Sequence, residues 1–266
     1  MSSFEGKVAA ITGGASGIGR QTALIFAQRG ADISISDLQT EAGQETCRMV
    51  EALGRKCFFM KVDVTKEAEV SEWIQKTVST LGGLHIAVNN AGIDGVAAYT
   101  DVYPNDVFEK VMDINVNGVW YGMKAQIAHM KANGGGSIVN IASVAGLMAL
   151  PRNVAYTASK HAVIGMTKVA AVEYARKGIR VNAICPSFTE TPMVIDSLVR
   201  QDSNLSLDTM GQMNPMKRIA QPEEIAKAIV YLCSEEASYV KRLFIPIKLK
   251  KVVNLVYVLP SKINQK

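Results

Sequence analysis

The chain has only four cysteines and three histidines among 266 residues. Cys47, Cys57, Cys185 and Cys233 lie far apart, with no C-x-x-C pair and no neighbouring histidine, so neither a disulfide framework nor a zinc site is expected. All four read as buried reduced thiols, and no metal is expected. Also missing is any apolar run near the roughly 20 residues that span a membrane. The nearest, Leu243 to Leu259, is interrupted by Pro246 and three lysines. The opening MSSFEGKVAAIT lacks the basic-then-apolar design of a secretion signal, which points to the cytoplasm. Acidic residues are absent from one stretch: residues 240–266 carry seven basic side chains and no acidic one. The formal charge of +5, from 29 Lys+Arg and 24 Asp+Glu, thus divides into a body with 22 basic against 24 acidic groups and a strongly basic tail. That distribution argues against the nucleic-acid or membrane-surface partner that the overall charge suggests.

At 48% hydrophobic and with 21 glycines, the chain can bury a sizeable core. Short β-branched runs alternate with longer segments of helical period, the pattern of a parallel sheet covered on both faces. Strands are expected at Lys7–Thr12, Ala31–Ser36, Lys56–Val62, Leu84–Asn89, Ser137–Ala142 and Ile179–Ile184. Helices are expected at Ile18–Arg29, Thr40–Leu53, Lys66–Leu81, Pro104–Met130, Tyr156–Lys177 and from Pro222 through Cys233. No linker or internal repeat interrupts the series, so the expected fold is α/β: a single-domain, doubly wound, Rossmann-like parallel sheet in three α/β/α layers. Thr189 to Gln221 is polar, methionine-rich and irregular, as expected of a mobile lid region.

The turn Thr12-Gly13-Gly14-Ala15-Ser16-Gly17-Ile18-Gly19 lies between a strand and a helix. There, backbone without Cβ atoms can approach a pyrophosphate and helix N-terminal amides can bind it. Asp37 ends the second strand 18 residues after Gly19, close to the spacing at which a carboxylate accepts hydrogen bonds from adenosine ribose hydroxyls. A 2′-phosphate would be repelled by that carboxylate, so NAD is favoured over NADP.

The ordered set T-G-x3-G-x-G, Asn89-Asn90-Ala91-Gly92, Asn115, Ser143 and Tyr156-x3-Lys160 resembles the short-chain dehydrogenase/reductase family over roughly residues 5–239. The resemblance implies hydride transfer between a nicotinamide and an alcohol or ketone carbon, with association as dimers or tetramers. Tyr156 is then the acid/base. A free phenol titrates near ~10, so phenolate near neutral pH needs about 3 to 4 kcal/mol of preferential stabilisation. Lys160, one helical turn on, can help supply it. By resemblance Lys160 also binds the nicotinamide ribose, Ser143 hydrogen-bonds the substrate oxygen, and the Asn115 backbone carbonyl holds a water of a proton relay. Gly13, Ser16, Gly17, Ile18 and Gly19 would cradle the pyrophosphate, with Asp63 and Val64 at the adenine and Asn90, Ala91 and Gly92 on the adenosine side. Pro186, Thr189 and Thr191 belong to a loop closing over the nicotinamide, in which Ser187 stands where relatives have glycine.

Met193, Val194 and Leu198 would form an apolar lid over a small alcohol or ketone. Leu150 and Asn153 are candidates for the opposite wall, and Arg152 and Arg200 for carboxylate partners. His85, His129 and His161 receive no role.

The family pattern stops near Val240, where a glycine-containing final strand is expected and no glycine follows Gly211. The domain therefore divides into a catalytic body, residues 1–240, and an atypical tail, residues 241–266. Either Val252 to Leu259 forms a replacement strand, or the tail is an unrelated translated segment, for which a shifted reading frame is the preferred origin. Two functional alternatives stay open: an NADPH-dependent ketoreductase such as a 3-oxoacyl reductase, and a catalytically weak nucleotide-binding or scaffold protein with an interaction tail.

Overall fold

Small and β-branched residues at the start of the chain build β1 (Val8–Thr12), a strand with every residue out of solvent, as a sheet covered on both faces requires. The computed structural model describes residues 3–200, 206–240 and 244–246. After β1 come α1 (Gly17–Gln28), β2 (Asp32–Asp37), α2 (Thr40–Ala52), β3 (Cys57–Lys61), α3 (Glu67–Leu81) and β4 (Ile86–Asn89). They are followed by α4 (Asn105–Met112), a π-helical turn (Asp113–Asn117), α5 (Gly118–Ala132), β5 (Gly136–Ile141), α6 (Val154–Glu173) and β6 (Ile179–Cys185). Helices α7 (Pro192–Arg200), α8 (Leu207–Met213) and α9 (Pro222–Cys233) precede β7 (Phe244–Pro246).

The strands are parallel, in the order β3-β2-β1-β4-β5-β6-β7. The order reverses between β1 and β4, which places a crevice beyond the carboxyl ends of those strands. Alternation along each strand divides the core in two. On one face Ile11, Ile35 and Val88 pack with Phe26 of α1 and Ile229 of α9. On the other, Ala10, Ala87 and Ile138 pack with Trp73 of α3, Met123 of α5 and Val163 of α6. The small residues at Ala10 and Ala87 leave room for Trp73, whose indole N–H donates to Ser34 Oγ at 2.9 Å. His85 is structural: its Nδ1 accepts from the Val8 N–H at 3.0 Å at the foot of β1. Among the described residues no helix is long and apolar enough to cross a membrane.

Four expectations are corrected. The single helix from Pro104 to Met130 is two helices joined by the π turn, which brings Asn115 to a fully buried position. The segment from Thr189 to Gln221 is not irregular, since it holds α7 and α8; Ser206 Oγ caps α8 by accepting from the Thr209 N–H at 3.1 Å. Its base is closed where the Glu190 N–H donates to the Ala220 carbonyl at 2.9 Å. The seventh strand position is filled, by Phe244–Pro246 pairing with Ala183–Cys185; backbone pairing of this kind needs no glycine. Val252 to Leu259 lies outside the described residues. Finally, Cys47 and Cys57 form a disulfide instead of standing as free thiols, because α2 folds back over β3 and brings their Cα atoms to 5.2 Å. Cys185 and Cys233 are buried and free.

Candidate active site

The last residue of β1 organises the cradle. Thr12 Oγ1 accepts from the N–H groups of Asn90 and Ala91 at 2.9 and 3.0 Å, while Asn90 Nδ2 returns bonds to the Thr12 and Gly13 carbonyls, both at 3.0 Å. Gly13 has φ +66, and a Cβ there would lie 2.8 Å from Asn90 Nδ2, so both backbone conformation and space demand glycine. α1 then begins at Gly17 with no side-chain cap from Ser16 and no acidic residue in its first turn. Its N-terminal amides and positive dipole end are left for an anion at the cavity edge, which fits the pyrophosphate of a dinucleotide. Asp37, at the end of β2, accepts from the Ala15 N–H through Oδ2 and from the Gln39 N–H through Oδ1, each at 3.1 Å. A carboxylate has about four acceptor directions, so ribose hydroxyls can still be received. Asp63 Oδ1 is engaged by the N–H and hydroxyl of Thr65, which fixes the turn carrying Val64.

Tyr156 and Lys160 share a face of α6, with Lys160 Nζ 5.5 Å from the Tyr156 ring centroid. Lys160 is only 4% exposed and donates to the Ile141 carbonyl at 2.9 Å. Burial pushes its pKa down to about 8, with a small opposing contribution from Cys185. Ser143 follows β5. Its Oγ accepts from the Ala145 N–H at 3.1 Å, so it serves as a cap, and it donates to the Pro186 carbonyl at 3.5 Å. Burial raises the Tyr156 pKa; the Ser143 hydroxyl works against this, and Asp94 and Cys185 add to it. The expected lowering of the Tyr156 pKa by Lys160 is therefore not the governing influence, since the ammonium is directed to a backbone carbonyl.

The Asn115 side chain makes three bonds. Oδ1 accepts from the Ile93 N–H and Nδ2 donates to the Ile93 carbonyl, both at 2.8 Å, and Nδ2 also donates to Ser159 Oγ at 3.0 Å. The Ser159 hydroxyl donates to the Tyr156 carbonyl at 2.8 Å, so Asn115 ties the segment after Gly92 to α6. A Cβ on Gly92 would lie 3.0 Å from Asn115 Oδ1 and 3.5 Å from Lys160 Nζ.

These elements enclose a cavity of about 730 Å³. Every catalytic and cofactor-binding residue expected from the sequence lines it except Gly19 and Asn115, which pack behind it. Gly19 sits against the Gly13 carbonyl, with no space for a Cβ. Ser187 keeps negative φ and donates from Oγ to Asn214 Oδ1 at 2.7 Å, so the loop path tolerates it. Thr191 rests against Gly17, 3.3 Å from the place a Cβ would take there. Met193 and Val194 line the cavity, whereas Leu150 and Asn153 do not. Arg152 turns to the Tyr99 ring, and the side chains of Leu198 and Arg200 lie outside those described. Sequence reasoning missed Asp94, Lys110, Ile114 and Asp196, which also line the cavity. Only Asp94 carried a signal, as a charged residue two positions after the Asn-Ala-Gly turn.

A family model described as enoyl-(acyl carrier protein) reductase matches residues 13–242. The chain is 40% identical over 237 residues to cyclohexanol dehydrogenase of Acinetobacter sp. (strain SE19), covering 89% of this chain and 91% of that one. Among solved structures it resembles levodione reductase, with a TM-score of 0.88 and 36% identity over 92% of this chain and 96% of the other. Carveol dehydrogenase from Mycobacterium avium, in complex with NAD, gives a TM-score of 0.88 and 32% identity over 93% and 98% of the two chains.

Proposed function

The chain belongs to the short-chain dehydrogenase/reductase family, and from that membership we propose an NAD-dependent enzyme that interconverts a small secondary alcohol and its ketone. One observation carries the reading: a buried lysine, a tyrosine and a serine share a cavity with an uncapped helix N-terminus. Bound NAD supplies an electrophilic carbon that takes hydride from the alcohol and returns it in the reverse direction. The protein's part is proton handling and orientation. Tyr156 gives a proton to a ketone oxygen or takes one from an alcohol, and Ser143 donates to the same oxygen as charge develops on it. Lys160 holds the nicotinamide ribose and keeps positive charge beside the phenol, while Asn115 positions α6 against Gly92. The raised Tyr156 pKa keeps the phenol protonated at neutral pH, which suits ketone reduction; oxidation gains as pH rises.

Asp37 supports NAD over NADP, since a carboxylate at the end of β2 would accept from ribose hydroxyls and repel a 2′-phosphate. NAD bound to the carveol dehydrogenase relative agrees with this choice. Residues 1–240 are read as the catalytic unit, 189–221 as its lid and 241–266 as an appended segment. The protein is assigned to the cytoplasm and to a homo-oligomer, dimer or tetramer. Exposed Trp120 on α5 and Val169 and Val172 on α6 support association through the long helices. Initial rates with NAD and with NADP over a panel of cyclic and linear secondary alcohols test the reading. NAD-linked oxidation is expected; an exclusive requirement for NADP would overturn the cofactor choice, and inertness with both would overturn the activity.

A further inference from the structure

After β6 the chain runs along the cavity as residues 186–191, of which Pro186, Ser187, Thr189 and Thr191 line the wall. Two anchors hold this loop. At its middle the Glu190 N–H donates to the Ala220 carbonyl and the Ala220 N–H to the Phe188 carbonyl, both at 2.9 Å. A strip fixed along one line can still tilt about it. The second anchor lies nearer β6 and is a side-chain bond, from Ser187 Oγ to Asn214 Oδ1 at 2.7 Å. Asn214 is only 5% exposed, so water competes little for that bond. The Ser187 carbonyl is engaged as well, by the Thr189 hydroxyl at 3.1 Å.

Asn214 is itself held from the other side. Its Nδ2 donates to the Arg218 carbonyl at 2.9 Å, and the Arg218 guanidinium donates to the two carboxylate oxygens of Glu224 at 2.6 and 2.7 Å. Glu224 stands in the first turn of α9, a helix whose Ile225 and Ile229 belong to the core. Ser187 thus ties a cavity-facing loop to a rigid element. A glycine there, as the family pattern has, would leave Asn214 Oδ1 without the donor it has here. We infer that Ser187 is a positioning residue: its bond to Asn214 holds the 186–191 loop against the nicotinamide half of the dinucleotide and sets affinity for that half alone. This role rests on the NAD reading above, in which Thr189 and Thr191 face the nicotinamide. The adenosine and pyrophosphate parts meet Asp37, Asp63 and the start of α1 in that reading, and the bond touches none of these.

The test compares NAD with ADP-ribose, which lacks the nicotinamide. Dissociation constants from calorimetric titration of the full-length protein read the two halves separately and without turnover. Loss of one buried hydrogen bond corresponds to about fivefold in affinity. Ser187→Ala and Asn214→Ala are each expected to weaken NAD by about fivefold and to leave ADP-ribose within about twofold of wild type. Combined, they should weaken NAD no more than Asn214→Ala does, since both remove the same bond. Ser187→Thr keeps the hydroxyl and should bind both ligands as wild type does. General damage to the fold would instead weaken the two ligands together. An unchanged NAD affinity in Ser187→Ala, equal weakening of NAD and ADP-ribose, or a Ser187→Thr that binds like Ser187→Ala overturns the role of Ser187 and leaves the NAD reading standing. A wild type that binds neither ligand overturns the NAD reading, and this role with it.

Discussion

Replacing Lys160 with methionine should make the protein more stable at neutral pH. Lys160 is buried, and its pKa is lowered from 10.5 to about 8 by loss of hydration. Between those values the unfolded chain binds more proton than the folded one, so stability rises with pH across that window. Below about pH 8 the folded protein carries the full cost of the buried ammonium, about 3 kcal/mol from the gap between the two values. Lys160→Met keeps an unbranched stem of similar length and removes the charge, but leaves the Ile141 carbonyl without its donor. That loss returns about 1 to 2 kcal/mol. The variant should therefore be more stable than wild type by about 1 to 2 kcal/mol at pH 7, while losing the proposed activity. As pH rises from 8 toward 10.5 the neutral amine no longer incurs this cost, so the advantage should shrink and then reverse. Urea unfolding of both proteins at half-unit steps from pH 6.5 to about pH 10 gives the difference directly. A difference that stays flat with pH, or a variant less stable than wild type at pH 7, refutes the argument.

Asp37→Ser should weaken NAD by about ten- to a hundredfold while improving NADP, read as KM for each cofactor, because ribose acceptors are lost and repulsion of a 2′-phosphate is relieved. Reducing the Cys47–Cys57 bridge, which closes a loop with sequence separation 10, should lower stability by about 3 kcal/mol on the chain-entropy model. Unfolding with and without dithiothreitol, against Cys47→Ser as control, measures it; a control that responds equally to the reductant would count against the bridge. The pKa of His85 is depressed by burial, with Lys7 and His129 adding to the effect, and its Nδ1 accepts from the Val8 N–H. The folded protein therefore holds less proton than the unfolded chain near the ordinary value of 6.5. The stability His85 supplies is fully present above that value and is lost as pH falls through the lower folded pKa. His85→Asn should remove this acid sensitivity from a series of urea midpoints.

Much of the scaffold was legible in the sequence because local pattern and tertiary role agree. β1 is a short apolar run leading into a glycine-rich turn, β2 alternates isoleucine with serine and ends at Asp37, and Tyr156 and Lys160 are brought together by one turn of one helix. Legibility failed where partners are distant in sequence. Asn115 was read for its backbone carbonyl; the bonds of its side chain, which reach Ile93 and Ser159 from a π turn that periodicity does not signal, were not foreseen. The Cys47–Cys57 pair depends on how α2 folds back on β3. Helix α7 begins with Pro192 in a methionine-containing stretch that reads as loop, and β7 pairs through its backbone without the expected glycine. The direction of the Tyr156 pKa depended on burial and on where the Lys160 ammonium points, neither of which i to i+4 spacing contains.

The central claim is that Tyr156 moves the proton in an NAD-linked alcohol and ketone interconversion. Tyr156→Phe removes one hydroxyl and keeps the ring. Its kcat/KM for secondary alcohol oxidation with NAD, measured beside wild type with NAD affinity and unfolding midpoint as controls, tests the claim most directly. The account predicts a fall of about a hundred- to ten-thousandfold with NAD affinity retained. Activity within about tenfold of wild type would contradict it, because a group that donates or accepts the reacting proton is worth more than that.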